Sequence, residues 1–366
     1  MRIVFLLASA DLAGGVRVVA TYARLLQQRG HRVTVVSTPP REPLLRQKVN
    51  LALRGQGWPR SSAQVPSPSH VDQPDIDHRR LERFRPVRDE DVPDADVVVA
   101  TWWRTAEWAG ALSPRKGAKV HFIQGNDIET PGQPEDRVLA TWRLPMHRIV
   151  CSRWLANVAR DRYGVTEVAY VPNGVDASLF NAPVRGKQER PTVGLVYSDL
   201  AMKGCDVALE AIARAARRIP GLQLVTFGSE PISAGLVLPP DSVFHLRPDQ
   251  NHIPRIYSSC DAWLWPSRRE GFGLPILEAM ACRTPVIASP AGAAPELLAE
   301  GGGVLLPAAE ASLMTEAIEF MCSLDRFRWR ALSNEARAAA ELRDWNRSAL
   351  LFEAALQVAA DAHTPR

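Results

Sequence analysis

Glu270-Gly-Phe-Gly-Leu-Pro-Ile-Leu-Glu278 is the stretch whose residue types and spacing can do chemistry. Ala262-Trp-Leu-Trp265 before it reads as a strand, Pro266 to Leu274 as a glycine-containing turn, and Pro275 as the first residue of a helix, where a missing N–H is tolerated. This puts Glu278 in the first turn of that helix. Gly271 and Gly273 let the backbone come close to a ligand, and the free N–H groups at the helix start attract a phosphate-like anion. The Glu278 carboxylate can accept hydrogen bonds from two adjacent ribose hydroxyls, and Glu270 on the preceding loop can do the same for a sugar. Taken alone, Glu278 reads as a charge favouring the helix start and Glu270 as a surface charge. The pair flanking Gly-Phe-Gly-Leu-Pro at a strand end is what points to a nucleotide-diphosphate sugar.

Such a site needs a sheet behind it, because ligands of open α/β sheets bind beyond the carboxyl ends of the strands. Two sets of strands alternate with helical patterns. Ile3 to Leu7, Val33 to Ser37, Val97 to Ala100, Lys119 to Ile123 and Ile149 to Cys151 form the first set. Thr192 to Val196, Leu222 to Phe227, Val243 to Leu246, Ala262 to Trp265 and Pro285 to Ala288 form the second. The alternation predicts parallel sheets with helices on both faces. The expected fold class is therefore α/β, with two doubly wound Rossmann-like domains facing across a cleft. They span residues 1–180 and 181–345, with a linker between about Asp176 and Pro191. A C-terminal amphipathic helix in 346–366 either stays with the second domain or crosses back to the first.

A length of 366 residues favours two domains over one, and 46% apolar with 23% charged residues marks an ordinary folded chain. The net charge of +4 is small for that length and gives no reason to expect nucleic acid as a partner. Five widely separated cysteines without paired ligand spacing predict free thiols in a reducing compartment and no structural zinc. The N-terminal apolar run ends at Asp11, too short for a signal core, and no stretch approaches the ~20 residues that span a bilayer, so a cytoplasmic protein is expected. The basic, Pro- and Ser-rich stretch 41–70 breaks the alternation. It reads either as a solvated insertion or as an amphipathic segment, within 41–60, making peripheral contact with a membrane surface or lipid acceptor.

The Glu270 to Glu278 segment resembles the two-glutamate motif of the retaining glycosyltransferases of family 4, which have the GT-B fold. Similar segments run along the chain. They are Ala13-Gly14-Gly15-Val16 after the first strand, Arg29-Gly30-His31-Arg32-Val33 into the second, and Val171-Pro172-Asn173-Gly174-Val175-Asp176 with Phe180 at the end of the first domain. Lys203-Gly204, Phe227-Gly228 and Ser289-Pro290-Ala291-Gly292 to Pro295-Glu296 follow in the second. The resemblance implies a nucleotide-sugar donor held mainly by the second domain and a hydroxyl acceptor held mainly by the first. By position, Glu278 would bind the ribose, and the backbone of Gly271, Phe272, Gly273 and Leu274 would bind the diphosphate together with Lys203 and Ser198. Glu270 would bind the transferred sugar, with Gly14 and Gly15 approaching from the other side. Lys203 and Glu270 are then the catalytic pair, Lys203 stabilising charge that grows on the leaving diphosphate with no metal or other cofactor.

Two departures stand out. The family usually has an arginine a few residues before the lysine, whereas this chain offers Tyr197 and Ser198; either Lys203 and the amides suffice or another cation, such as Arg17, contributes. After the strand Lys119 to Ile123, Gln124 stands where many relatives have a histidine. Glutamine is no general base, so a retaining front-face reaction would pass the acceptor proton to the leaving phosphate while Gln124 and Asn126 position hydroxyls. Similar Ile-Gln segments occur in a branch resembling rhamnosyltransferases. The loop also reads as a turn capped by Asn126 and Asp127. Trp102 or Trp103 offers an apolar platform for an acceptor sugar ring, with core packing as the alternative. The pairs Asp75/Asp77 and Asp94/Asp96 read as solvated charges. Gly14-Gly15 does not supply Gly-x-Gly-x-x-Gly, which weighs against a nicotinamide-dependent oxidoreductase. A nucleotide-sugar epimerase or hydrolase of the same fold, and a non-catalytic sugar-binding protein, are the other readings.

Overall fold

The computed structural model describes residues 1–40, 68–130 and 132–363. The chain forms two compact units. One comprises Met1–Cys151, Ala156–Val171 and Ala349–Arg366, the other Ser152–Leu155 and Pro172–Ser348.

Each unit is built on a parallel sheet. The first sheet holds β1 (Arg2–Leu7), β2 (Arg32–Ser37), β3 (Asp77–Arg80), β4 (Val97–Ala100), β5 (Ala118–Ile123), β6 (His147–Val150) and β7 (Ala169–Tyr170) in the order β3-β2-β1-β4-β5-β6-β7. The second holds β8 (Thr192–Tyr197), β9 (Gln223–Gly228), β10 (Val243–Leu246), β11 (Ala262–Trp265), β12 (Val286–Ala288) and β13 (Gly303–Leu305) in the order β10-β9-β8-β11-β12-β13. Val-Val-Val-Ala in β4 and Ala-Trp-Leu-Trp in β11 are buried at every position, as strands covered on both faces require. Sequence order reverses where β1 lies beside β4 and β8 beside β11, with Ile3 opposite Val97 and Leu264 opposite Leu195. At such a reversal the two strand-to-helix connections turn to opposite faces and leave a crevice at the carboxyl ends.

The edge strands β3, β7 and β13 are additions to the expected pattern. Asp77 begins β3 and accepts from the Thr34 hydroxyl at 2.8 Å, while Asp96 accepts from the N–H and guanidinium of Arg2 at 2.7 and 2.9 Å. These two carboxylates pin strand ends while staying solvated, as expected, with side chains 47% and 37% exposed. Unit one ends its central stretch at Val171, and much of the expected linker is held by packing. Arg185 donates to the Thr284 hydroxyl at 2.9 Å and lies 4.7 Å from the Trp329 ring centre, and the Lys187 ammonium donates to the carbonyls of Cys322 and Leu324.

The last helix, Trp345–Asp361, contributes its residues from Ala349 onward to the first unit. Phe352 is fully buried there, 4.2 Å from the Tyr22 ring centre and 5.0 Å from that of Phe122. No helix among the described residues is long and apolar enough to cross a membrane. The stretch 41–60, read as a membrane-contacting segment, lies outside the described residues.

Candidate active site

In the second unit the adjacency of β8 and β11 brings together the loops that follow them. The loop after β8 ends in a short 3-10 turn, Ala201–Lys203, closed by Gly204 at φ +67°. A Cβ on Gly204 would stand 2.1 Å from the Pro266 carbonyl oxygen, so only glycine allows the two loops this close. The loop after β11 completes the join. Arg268 N–H donates to the Met202 carbonyl at 2.9 Å, and its guanidinium reaches the Ala201 carbonyl at 2.7 Å and grips Asp206 through both nitrogens.

The result is a contact between the two residues expected to be catalytic. Lys203 Nζ lies 2.6 Å from Glu270 Oε2 and 5.7 Å from the Trp265 ring centre. Glu270 Oε1 also accepts from the Gly271 N–H at 3.3 Å. The chain then turns through Gly273, at φ +102°, into the helix Leu274–Ala281. The helix begins one residue before Pro275, so Glu278 is its fifth residue and lies in the second turn, a correction to the first-turn placement. The Glu278 carboxylate is buried and accepts from the hydroxyl of Tyr257, itself fully buried, at 2.8 Å. Its direction is set by that phenol, and the reading of Glu278 as a charge favouring the helix start fails on position. Phe272 has a core side chain, and its carbonyl accepts from Ala293 N–H at 3.2 Å, which leaves the Gly271–Leu274 stretch only backbone to offer a ligand on that residue. The Ser198 hydroxyl accepts from Leu200 N–H at 3.3 Å and so serves the turn leading to Lys203. Tyr197, standing near the place of the missing arginine, is buried and donates to the Leu236 carbonyl at 2.9 Å.

In the first unit the loops after β1, β4 and β5 carry the remaining expected residues. Gly14 and Gly15 open the helix Gly14–Gln28, behind an extended Ala13. Gln124, which follows β5, donates to the Gly15 carbonyl at 3.4 Å, so the glycine loop and the expected acceptor residue meet. Trp102 is half-buried at the start of the helix Trp103–Ala111, but Trp103 is fully buried and its indole N–H donates to Gln133 at 3.0 Å. Trp103 is therefore core, which leaves Trp102 as the candidate for the expected platform. Asn126 also departs from expectation. Its amide donates to Glu129 and accepts from the Tyr163 hydroxyl, both at 2.8 Å, so it builds the loop instead of facing an acceptor.

Two titratable groups complete the picture. His121 in β5 is fully enclosed, and burial with the nearby Arg148 charge pushes its imidazole down to about 3, leaving it neutral. Asp127 begins the 3-10 turn Asp127–Glu129, as the turn reading expects, and its carboxylate also accepts from the Trp103 N–H at 3.2 Å at the start of another helix. Burial pushes its carboxyl up to about 7, against the pull of the Trp103 N–H and the Trp102 side chain. Its position directly after Gln124-Gly-Asn, on a strand end, is the signal that could have singled it out.

Two family models together match nearly the whole chain. The family described as Glycosyltransferase Family 4 matches residues 12–179, and that described as Glycosyl transferases group 1 matches residues 180–339. An MMP alpha-(1->4)-mannosyltransferase of Mycolicibacterium hassiacum is 28% identical over 267 residues, 69% of this chain and 59% of that protein. A GDP-mannose-dependent alpha-(1-6)-phosphatidylinositol dimannoside mannosyltransferase of Mycobacterium tuberculosis is 29% identical over 273 residues, 71% of this chain and 67% of that protein. Among solved structures, sucrose-phosphate synthase from Thermosynechococcus elongatus aligns with a TM-score of 0.74 at 20% identity, covering 99% of this chain and 100% of that one. HepE from Anabaena, determined in complex with UDP and glucose, aligns with a TM-score of 0.72 at 18% identity, covering 98% and 100%. The structural likenesses establish the fold, and the two family matches meet between residues 179 and 180 with none of the expected landmarks left outside them. The chain belongs to the family 4-like glycosyltransferases of the GT-B fold.

Proposed function

We propose that this chain moves a hexosyl or deoxyhexosyl group from a nucleotide-diphosphate sugar to an acceptor hydroxyl, with retention of anomeric configuration and without a metal ion. The observation that carries the proposal is an ammonium and a carboxylate 2.6 Å apart beside a helix start, with the buried carboxylate of Glu278 on that same helix. In this reading the diphosphate takes the amides around Gly273 and the charge of Lys203, the ribose takes Glu278, and the sugar takes Glu270. Cleavage of the bond between the anomeric carbon and the phosphate oxygen leaves charge on the diphosphate, and Lys203 stabilises it where it forms. The acceptor proton passes to that phosphate, because Gln124 is not a base and His121 is buried and neutral. Gln124 and Trp102 position the acceptor.

A screen of nucleotide sugars in EDTA, read by thermal shift and then by donor hydrolysis, tests the proposal. The mannosyltransferases among the relatives put GDP-mannose first, and the Ile-Gln segment puts dTDP-rhamnose second. One donor at a hundred times its Kd is expected to add about 2.7 kcal/mol, roughly 5–11 °C in a unit of this size. It should also release a sugar that NMR shows with the donor's anomeric configuration. A chain stabilised by no nucleotide sugar, or by NAD alone, would sink the proposal.

A further inference from the structure

Lys203 and Glu270 are both partly buried, with side-chain exposures of 33% and 19%, and Gly271 N–H holds the second carboxylate oxygen. The carboxylate thus has a fixed direction and the ammonium a fixed anionic partner. An ammonium that donates to Glu270 and to a phosphate at once brings the two anions within roughly 5 Å of each other, since each N–H···O contact is about 2.8 Å long. Like charges at that distance repel, and solvent screens them less in a partly buried site than on an open surface.

We propose that Glu270 makes this site discriminate between the intact donor and the spent nucleoside diphosphate. The inference rests on the donor site proposed above. With a sugar attached, its hydroxyls donate to Glu270 and offset the repulsion. Once the sugar has been transferred, those hydroxyls are gone, and Glu270 competes with the diphosphate for the one Lys203 ammonium and repels it, which lowers its affinity and hastens product release. Glu270 is then a specificity determinant for donor over product as well as a contact for the sugar.

Calorimetry of the full chain with GDP, UDP, ADP and dTDP, and with the nucleotide sugar matching whichever binds, decides it. Glu270→Gln keeps the shape and removes the charge, so it should bind the diphosphate about tenfold more tightly, which corresponds to about 1.4 kcal/mol. Its affinity for the nucleotide sugar should not rise. Glu270→Asp keeps the charge and should bind the diphosphate no more tightly than the unsubstituted chain. The gain in Glu270→Gln should shrink between 50 and 500 mM salt, at roughly a threefold shorter screening length. If Glu270→Gln does not fold, Glu270→Ala removes the same charge and carries the same expected sign. Unchanged or weaker diphosphate binding in the neutral variants, with the unsubstituted chain still binding, overturns the inference and leaves the donor site standing. Binding of none of the four diphosphates by the unsubstituted chain overturns the donor site itself, and the inference with it.

Discussion

At Asp127 burial raises a carboxyl from 3.8 to about 7, so its neutral form is favoured in the folded chain. A carboxyl whose folded pKa lies above its unfolded value contributes stability that is fully present below about 4 and is lost as pH rises through about 7. Asp127→Asn removes the ionisation and keeps an oxygen for the Trp103 N–H. Melting temperatures should therefore show the variant gaining more on the unsubstituted chain at pH 8 than at pH 5. An equal difference at both pH values would contradict the account. At this scale the sequence was legible where chemistry is local. Glu270 and Glu278 stand on one turn and the helix it opens, so their spacing alone brings them into one site. Tyr257, which aims Glu278, comes from a different helix and leaves no mark near the motif. The neighbours Trp102 and Trp103 have the same chemistry, and which one enters the core depends on packing around Gln133, 30 residues away. Asn126 is likewise taken by Tyr163 from a later helix.

Among the elements, the join between the loops after β8 and β11 is the feature on which the site depends. Gly204 combines a left-handed φ of +67° with a 2.1 Å approach to a backbone oxygen, and backbone cannot yield as a side-chain tip can. Gly204→Ala adds a strain of about 1 kcal/mol for the conformation alone, plus the cost of separating the loops, for a total of roughly 2–4 kcal/mol. Urea unfolding should show that loss, and the variant should bind nucleoside diphosphate more weakly because Lys203 moves with the turn. Full stability in the variant would contradict the packing described. The buried strands were legible because a strand covered on both faces must be apolar throughout, as in β4 and β11. The edge strands were not. β3 is Asp-His-Arg-Arg, and its membership depends on the parallel pairing of Thr34 with Asp77 and its neighbours, while β7 has two residues. The start of the helix Leu274–Ala281 was misplaced because the left-handed Gly273, not Pro275, sets it.

For the whole molecule, the restart of the strand pattern after Pro191 was enough to reveal two sheets, but not to divide the chain between them. The last helix has an amphipathic pattern that suits either sheet, and it is the aromatic cluster of Phe5, Tyr22 and Phe122 around Phe352 that assigns it to the first unit. Phe352→Ala should cost about 3–5 kcal/mol, read as a lower guanidinium midpoint for the first unit's transition, because the site is closed on all sides. A loss under 1 kcal/mol would mean that the helix does not dock as described. Donor binding by the second unit through Lys203 and Glu278 can be read by calorimetry of the purified chain with a nucleoside diphosphate in EDTA. The unsubstituted chain should bind, with at least a tenfold loss, about 1.4 kcal/mol, in each of Lys203→Ala and Glu278→Ala. Unchanged affinity in both variants would contradict it.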